Sequence, residues 1–245
     1  MKRPGKIQTF LYFAVTASFL LPILYLLIRI LFRSPGESDA SAGYHSDADY
    51  ILMLFQCLLG LITINLPTIL ERRLRFELPG VLYGFYIVFL YCAIFLGEVR
   101  SFFYLVPGWD VILHCCSSIM TGFFGMMVVT ILNRDENVAI SLSPFFVALF
   151  AFSFAVMIGT VWEVFEFTVD GLLGVNMQKF INSEGVTLAG RAALTDTMKD
   201  IVVDIVGAGL ASLIGYFSIR HNRRWFVPVL TDAAPKRGRK TKVIQ

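Results

Sequence analysis

The sequence predicts an all-α, polytopic membrane protein of six transmembrane helices with both termini on the cytoplasmic side. Three observations carry this expectation. Hydrophobic residues make up 56% of the 245 and charged residues only 16%, against about 25% charged in a soluble domain. The apolar residues are gathered into six runs long enough to cross a bilayer, about 20 residues each. Lys and Arg are distributed unevenly between the segments that separate those runs, which sets an orientation.

The first run, residues 10–32, follows Lys2, Arg3 and Lys6 and is apolar except for Arg29. It exceeds the 7–15-residue apolar core of a cleavable signal peptide, so it is expected to stay as a transmembrane helix. Residues 33–49 are polar, acidic and loop-like. The second run, 51–69, carries Pro67 near its end, where a missing N–H bends or stops a helix. A short basic loop, 71–77, and the pair Pro79-Gly80 lead to the third run, 81–96, which ends at Glu98 and Arg100. An aromatic connector, 101–109, precedes the fourth, 111–132. The fifth covers 144–167 and the sixth 197–219, separated by the longest connecting segment, 170–195, with room for a short interfacial helix. Together 1–219 form one transmembrane domain, and 220–245 form a basic cytoplasmic tail.

With the amino terminus inside, fifteen of the 21 Lys and Arg residues fall on the inner side and six on the outer. Cytoplasmic loops carry this excess, so six helices with both ends inside is the consistent solution. The Arg- and Lys-rich tail is then a topogenic anchor to anionic lipid, and nucleic acid is not an expected partner. The expected location is a cell membrane, with the bilayer itself as the principal partner. Cys57, Cys92, Cys115 and Cys116 all lie inside apolar runs without a C-x-x-C pair, so neither a disulfide framework nor a cysteine zinc site is suggested.

Once the orientation is set, the acids form a pattern. Asp196, Asp200 and Asp204 recur every four residues at the start of the sixth run, within about 80° of one helix face. Asp110 and His114 share a face at the start of the fourth. Glu163, Glu166 and Asp170 close the fifth within roughly 60°. All these ends belong to the outer leaflet, where the groups can meet at one depth. Each stripe continues inward through small residues: Ser117, Thr121 and Gly125; Gly159 and Ala155; Gly207 and Ala211. Small residues let helices approach closely in lipid, so these faces are expected to point into the bundle.

An ionisable side chain at bilayer depth is costly and usually marks a site. Seven acids in one place cannot all stay ionised without protons or cations among them. Carboxylates with one imidazole suit Mg²⁺, Mn²⁺ or Ca²⁺, and also Zn²⁺. The candidate ligands are Asp110, His114, Glu163, Glu166, Asp200 and Asp204, with His114, Glu163 and Glu166 as candidate catalytic groups. Arg191 and Lys199 are the nearby cations available to pair with acids or hold phosphate. Asp170 and Asp196 also fit plain helix-end acids, and His114 also fits a structural histidine.

The segments Trp109-Asp110-x-x-x-His114, Trp162-Glu163-x-x-Glu166 and Asp196-x-x-x-Asp200-x-x-x-Asp204-x-x-Gly207 resemble the YjdF-like group of bacterial inner-membrane proteins of unknown function. More loosely, their order is similar to that of VanZ-like membrane proteins linked to glycopeptide resistance. Glu166 and Asp204 depart from that second pattern, which tends to have an amide there. The resemblance implies a bacterial multi-pass protein and carries no activity with it.

Two functional classes fit the acid pattern. The first is an outward-facing acidic and histidine pocket that binds a divalent cation and acts on a lipid head group or lipid-linked envelope precursor. The second is an ion- or proton-coupled transporter, against which stands the absence of a broken helix pair or an inverted repeat in the sequence. A plain membrane scaffold with a structural cation is the third reading.

Overall fold

The computed structural model describes residues 5–32, 47–74, 76–133, 142–182, 184–221 and 229–230. Most of the expected acidic loop and nearly all of the basic tail lie outside these residues. Six helical spans are long and apolar enough to cross a membrane, and the protein is all-α apart from one two-residue pairing. Helix α1 is Lys6–Phe32, α2 is Asp47–Thr63 and α3 is Leu66–Leu74, the last two forming one span. Helix α4, Gly80–Leu90, continues as a π-helix over Tyr91–Val99 and completes the third span. A four-residue helix, α5, Phe102–Leu105, leads into α6, Trp109–Leu132. Helices α7, Pro144–Leu173, and α8, Arg191–Arg220, finish the bundle. The short strands β1, Phe76–Glu77, and β2, Val229–Leu230, pair antiparallel.

The break between α2 and α3 follows from Pro67. Its nitrogen carries no proton, so the carbonyl of Thr63, four residues earlier, loses its helical donor. The Tyr86 hydroxyl donates to that carbonyl at 2.6 Å, and Asn65 Nδ2 donates to the Leu61 carbonyl at 2.9 Å. Asn65 Oδ1 in turn accepts from the Tyr12 hydroxyl at 3.0 Å. In lipid there is no water to satisfy groups freed by such a break, so α1 and α4 supply the partners. The second span is thus interrupted, although the apolar sequence reads as continuous up to Pro67.

Helices α1, α2 and α4 pack around Val15, Phe19, Ile23, Cys57, Ile64, Ile87, Leu90 and Ile94. In α1 these residues repeat every four positions, which is one helix face. Helices α6, α7 and α8 form a second group in which each helix packs on the other two. Here the contact is made by small residues. A Cβ on Gly122 would stand 2.8 Å from that of Ala211, and one on Gly125 would stand 3.3 Å from the Ala151 Cα. Ala155 and Ala211 are fully buried. Large apolar side chains such as Phe145, Val164, Phe167 and Leu213 face outward, as a lipid-facing surface requires.

Helix ends are fixed by local chemistry. Ser143 caps α7 by accepting from the Phe146 N–H, with Pro144 in the first turn, and Gly174 at φ +64° closes it. Helix α7 runs past the apolar stretch to Leu173, and α8 starts at Arg191, ahead of the apolar stretch that opens at 197. Both helices are therefore extended at the same end of the bundle; Asp170 and Asp196 lie on the extensions, and Glu163, Glu166, Asp200 and Asp204 lie further in along the same two helices. The described residues of the segment between them form no helix and are organised by an isolated bridge between Ile181 and Thr187.

Candidate functional site

His114 is the centre around which the acids gather. It lies one turn into α6, buried between α7 and α8. Its Nδ1 is 3.3 Å from Asp204 Oδ2 on α8, and its Nε2 is 3.6 Å from Glu163 Oε1 on α7 and 3.8 Å from Asp110 Oδ1 on its own helix. Two sets of potential ligand atoms lie within 4.8 Å of one another: Asp110, His114 and Asp200, and His114, Glu163 and Glu166. The structure therefore brings Asp110, His114, Glu163, Glu166, Asp200 and Asp204 into one cluster contributed by three helices. Asp196 sits half-buried at its edge and belongs to neither set.

The cluster is possible because the helix backbones come unusually close. A Cβ on Gly159 of α7 would overlap the Asp204 carboxylate, and one on Gly207 of α8 would overlap the Ser118 hydroxyl. Glycine at both positions lets α7 and α8 carry acids against α6 with no intervening side chain. On α6 the residue that turns inward after His114 is Ser118, which is buried, while Ser117 is half-buried. The expected stripe through Ser117 is thus corrected by one residue: in a straight helix Ser118, one four-residue step from His114, stays over it.

Charge makes the cluster unusual. Glu163, Asp200 and Asp204 are 5%, 4% and 1% exposed, and each keeps one oxygen (Oε1, Oδ1 and Oδ1) buried with no hydrogen-bond partner among the described residues. An unsatisfied buried polar atom costs about 1–3 kcal/mol, more for a charged group. Three of them on acids packed around one imidazole mark a place where a positive ligand would be strongly stabilised. Asp110, with a side chain 35% exposed, and half-buried Glu166 provide its contact with the surroundings. The acids are packed between the helices. A cavity of about 150 Å³ among the described residues lies elsewhere, lined by apolar groups including Leu66, Leu82, Met120 and Phe124.

Two other expectations change. Asp170 faces away from the ion cluster: its carboxylate accepts the backbone N–H groups of Met177 at 2.5 Å and Gln178 at 2.9 Å. It anchors the start of the connecting segment, for which position four residues beyond Glu166 places it one turn further out. Arg191 and Lys199, expected as the nearby cations, are exposed, and Lys199 still acts through its charge on Asp196 and Asp200. The buried cation is Lys179, whose Nζ binds Glu98 Oε2 at 2.8 Å with side chains 12% and 4% exposed. Gln56 Nε2 donates to the same oxygen at 3.3 Å. Burial pulls the Lys179 ammonium toward the neutral form, but Glu98, Tyr104 and Glu166 more than offset it and leave its pKa raised. Its ammonium also stands 4.8 Å from the centre of the Phe103 ring. In the sequence Lys179 is a lone cation in a loop, with nothing in its neighbours to mark it as buried.

These features define a polytopic helical membrane protein with a buried carboxylate–imidazole cluster at one end of a three-helix group. Residues 40–221 match a family of predicted membrane proteins of unknown function, DUF2238, and the chain belongs to that family. Every residue of the cluster falls inside the matched region. The chain is also similar to an uncharacterised protein of Thermotoga maritima, with 30% identity over 132 residues, which is 53% of this chain and 57% of the relative. The aligned region thus spans little more than half the length of that protein. No solved structure matches the chain.

Proposed function

We propose that this protein binds a divalent cation, Mg²⁺, Mn²⁺, Ca²⁺ or Zn²⁺, at the Asp110, His114, Glu163, Glu166, Asp200 and Asp204 cluster. The site would face the outer leaflet of a bacterial cell membrane and act there on a lipid head group or a lipid-linked envelope precursor. The observation that carries this reading is the convergence of five carboxylates on one buried imidazole, with three carboxylate oxygens buried and unpartnered. A divalent cation bound there would neutralise charge and give buried carboxylate oxygens a partner. The outward orientation rests on the excess of Lys and Arg at the opposite ends of the spans. The motif resemblance to YjdF-like and, more loosely, VanZ-like proteins supports the envelope setting.

The chemistry that suits such a site is transfer or hydrolysis of a phosphoester. A bound cation polarises a phosphoryl oxygen and lowers the pKa of its water. Water would attack phosphorus as its proton passes to a carboxylate or imidazole outside the cation's shell, and that group would return a proton to the leaving oxygen as its bond to phosphorus breaks. His114, Glu163 and Glu166 are the candidates for that proton transfer. Asp110 and Glu166, the least buried of the group, lie where a head group would approach.

The test is elemental analysis of protein purified without chelator and after dialysis against each cation, with Asp200→Ala and Asp204→Ala alongside. The reading expects stoichiometric cation in the parent protein and its loss in Asp200→Ala. Absence of any bound cation across the series would sink it. A flux assay in proteoliposomes separates the transporter reading, which requires movement of the cation or of protons across the bilayer. Loss of protein abundance on acid substitution, without any effect on a lipid substrate, would instead indicate a scaffold.

A further inference from the structure

The two nitrogens of His114 have different surroundings, and the difference assigns roles within the cluster; this rests on the cation reading above. Nε2 is 3.6 Å from Glu163 Oε1 and 3.8 Å from Asp110 Oδ1, beyond ordinary hydrogen-bond length. Nitrogen and oxygen ligands held about 2.1 Å from one ion stand roughly 3.0–3.4 Å from each other. Each of these oxygens is thus within a few tenths of an ångström of the spacing at which it could share an ion with Nε2, Asp110 in the set with Asp200 and Glu163 in the set with Glu166. Nδ1 lies on the other edge of the ring, 3.3 Å from Asp204 Oδ2.

We infer that Asp204 is a positioning residue: its carboxylate accepts the Nδ1 proton of His114, which leaves the Nε2 lone pair to bind the ion with the neighbouring carboxylates. Three independent observations support this assignment. Asp204 is 1% exposed, the most deeply buried acid of the group. Its carboxylate occupies a recess that exists only because residue 159 is glycine. Asp204 also belongs to neither set of mutually close ligand atoms, whereas Asp110, Glu163, Glu166 and Asp200 each belong to one. A ligating histidine whose second nitrogen donates to a carboxylate has its tautomer and ring orientation fixed, and loss of such a partner typically weakens metal binding about 10–100-fold. With both nitrogens engaged, His114 leaves the proton-transfer role to Glu166, the less buried member of its set. Asp204 Oδ1, buried without a partner, is the atom through which Asp204 would coordinate if it were a ligand, so the experiment must report on the ligand field.

The experiment is Co²⁺ titration of the full chain in detergent, followed by visible absorption, for the parent, Asp204→Asn, Gly159→Ala and Asp200→Asn. Asp204→Asn and Gly159→Ala are expected to keep the parent's band positions while the apparent Kd rises about 10–100-fold. Asp200→Asn, which removes a ligand, is expected to change the bands. Gly159→Ala reaches the Asp204 carboxylate from behind without altering its charge, so it carries the test if Asp204→Asn does not fold. An unchanged Kd in both variants, or altered band positions in Asp204→Asn, overturns the positioning role while leaving the cation site standing. A parent protein that binds no Co²⁺, Zn²⁺ or Mn²⁺ overturns the cation reading and this inference with it.

Discussion

Replacing Lys179 by Met isolates the ion pair that ties the 174–190 segment to the first three-helix group. The pair spans 2.8 Å, and at an effective dielectric of 20 its gross Coulomb energy is about 6 kcal/mol. Much of that offsets desolvation of the two groups, but removing one partner leaves the other charged and buried, at a typical cost of about 3–5 kcal/mol. Gln56, at 3.3 Å, is then the remaining hydrogen-bond partner of Glu98 Oε2. The expected result is a loss of about 3–5 kcal/mol for Lys179→Met, most of it recovered in Lys179→Met/Glu98→Gln, where no charge is left unpaired. Equilibrium unfolding in mixed micelles, followed by tryptophan fluorescence, measures both. A loss below about 1 kcal/mol in the single variant, or no recovery in the double, would refute the claim that this pair is buried and mutually dependent.

Three further outcomes follow from the geometry. Because Lys179 has a raised pKa in the folded protein, its contribution to stability is complete below the ordinary lysine value of about 10.4 and is lost as pH rises through the folded value. The difference between parent and Lys179→Met in unfolding midpoint should therefore be constant at neutral pH and shrink in strong alkali. Gly207→Ala should destabilise the protein by about 1–3 kcal/mol, since its Cβ would meet the Ser118 hydroxyl and the Cys115 carbonyl at 3.0 Å. Gly215→Ala should cost less, because the atoms in its way are the mobile end of Met126; thermal unfolding of the two variants decides the order. Asp170→Ala removes two charge-assisted bonds to the Met177 and Gln178 N–H groups. It should open the 174–190 segment to limited proteolysis and cost roughly 1.5–3 kcal/mol.

The six-span all-α architecture was legible in the sequence because lipid imposes it: a run of some 20 apolar residues has few alternatives to a membrane-crossing helix. The acidic faces were legible for the same reason, since acids at four-residue spacing beside apolar runs stand out against a lipid background. What the tertiary structure decided is which groups those faces present to one another. Periodicity could not tell that Ser118 and not Ser117 meets Gly207, that Asp170 turns to the loop backbone, or that Asp204 takes the Nδ1 side of His114. Nor could it foresee that Tyr86 would satisfy the carbonyl freed at Pro67, or that Lys179 would be carried from a loop to Glu98. Helical spacing fixes a direction around one axis to within tens of degrees. A contact of 3.3–3.6 Å from His114 to the neighbouring helices depends on how close two axes come, and here that distance is set by glycines on one helix facing side chains on another.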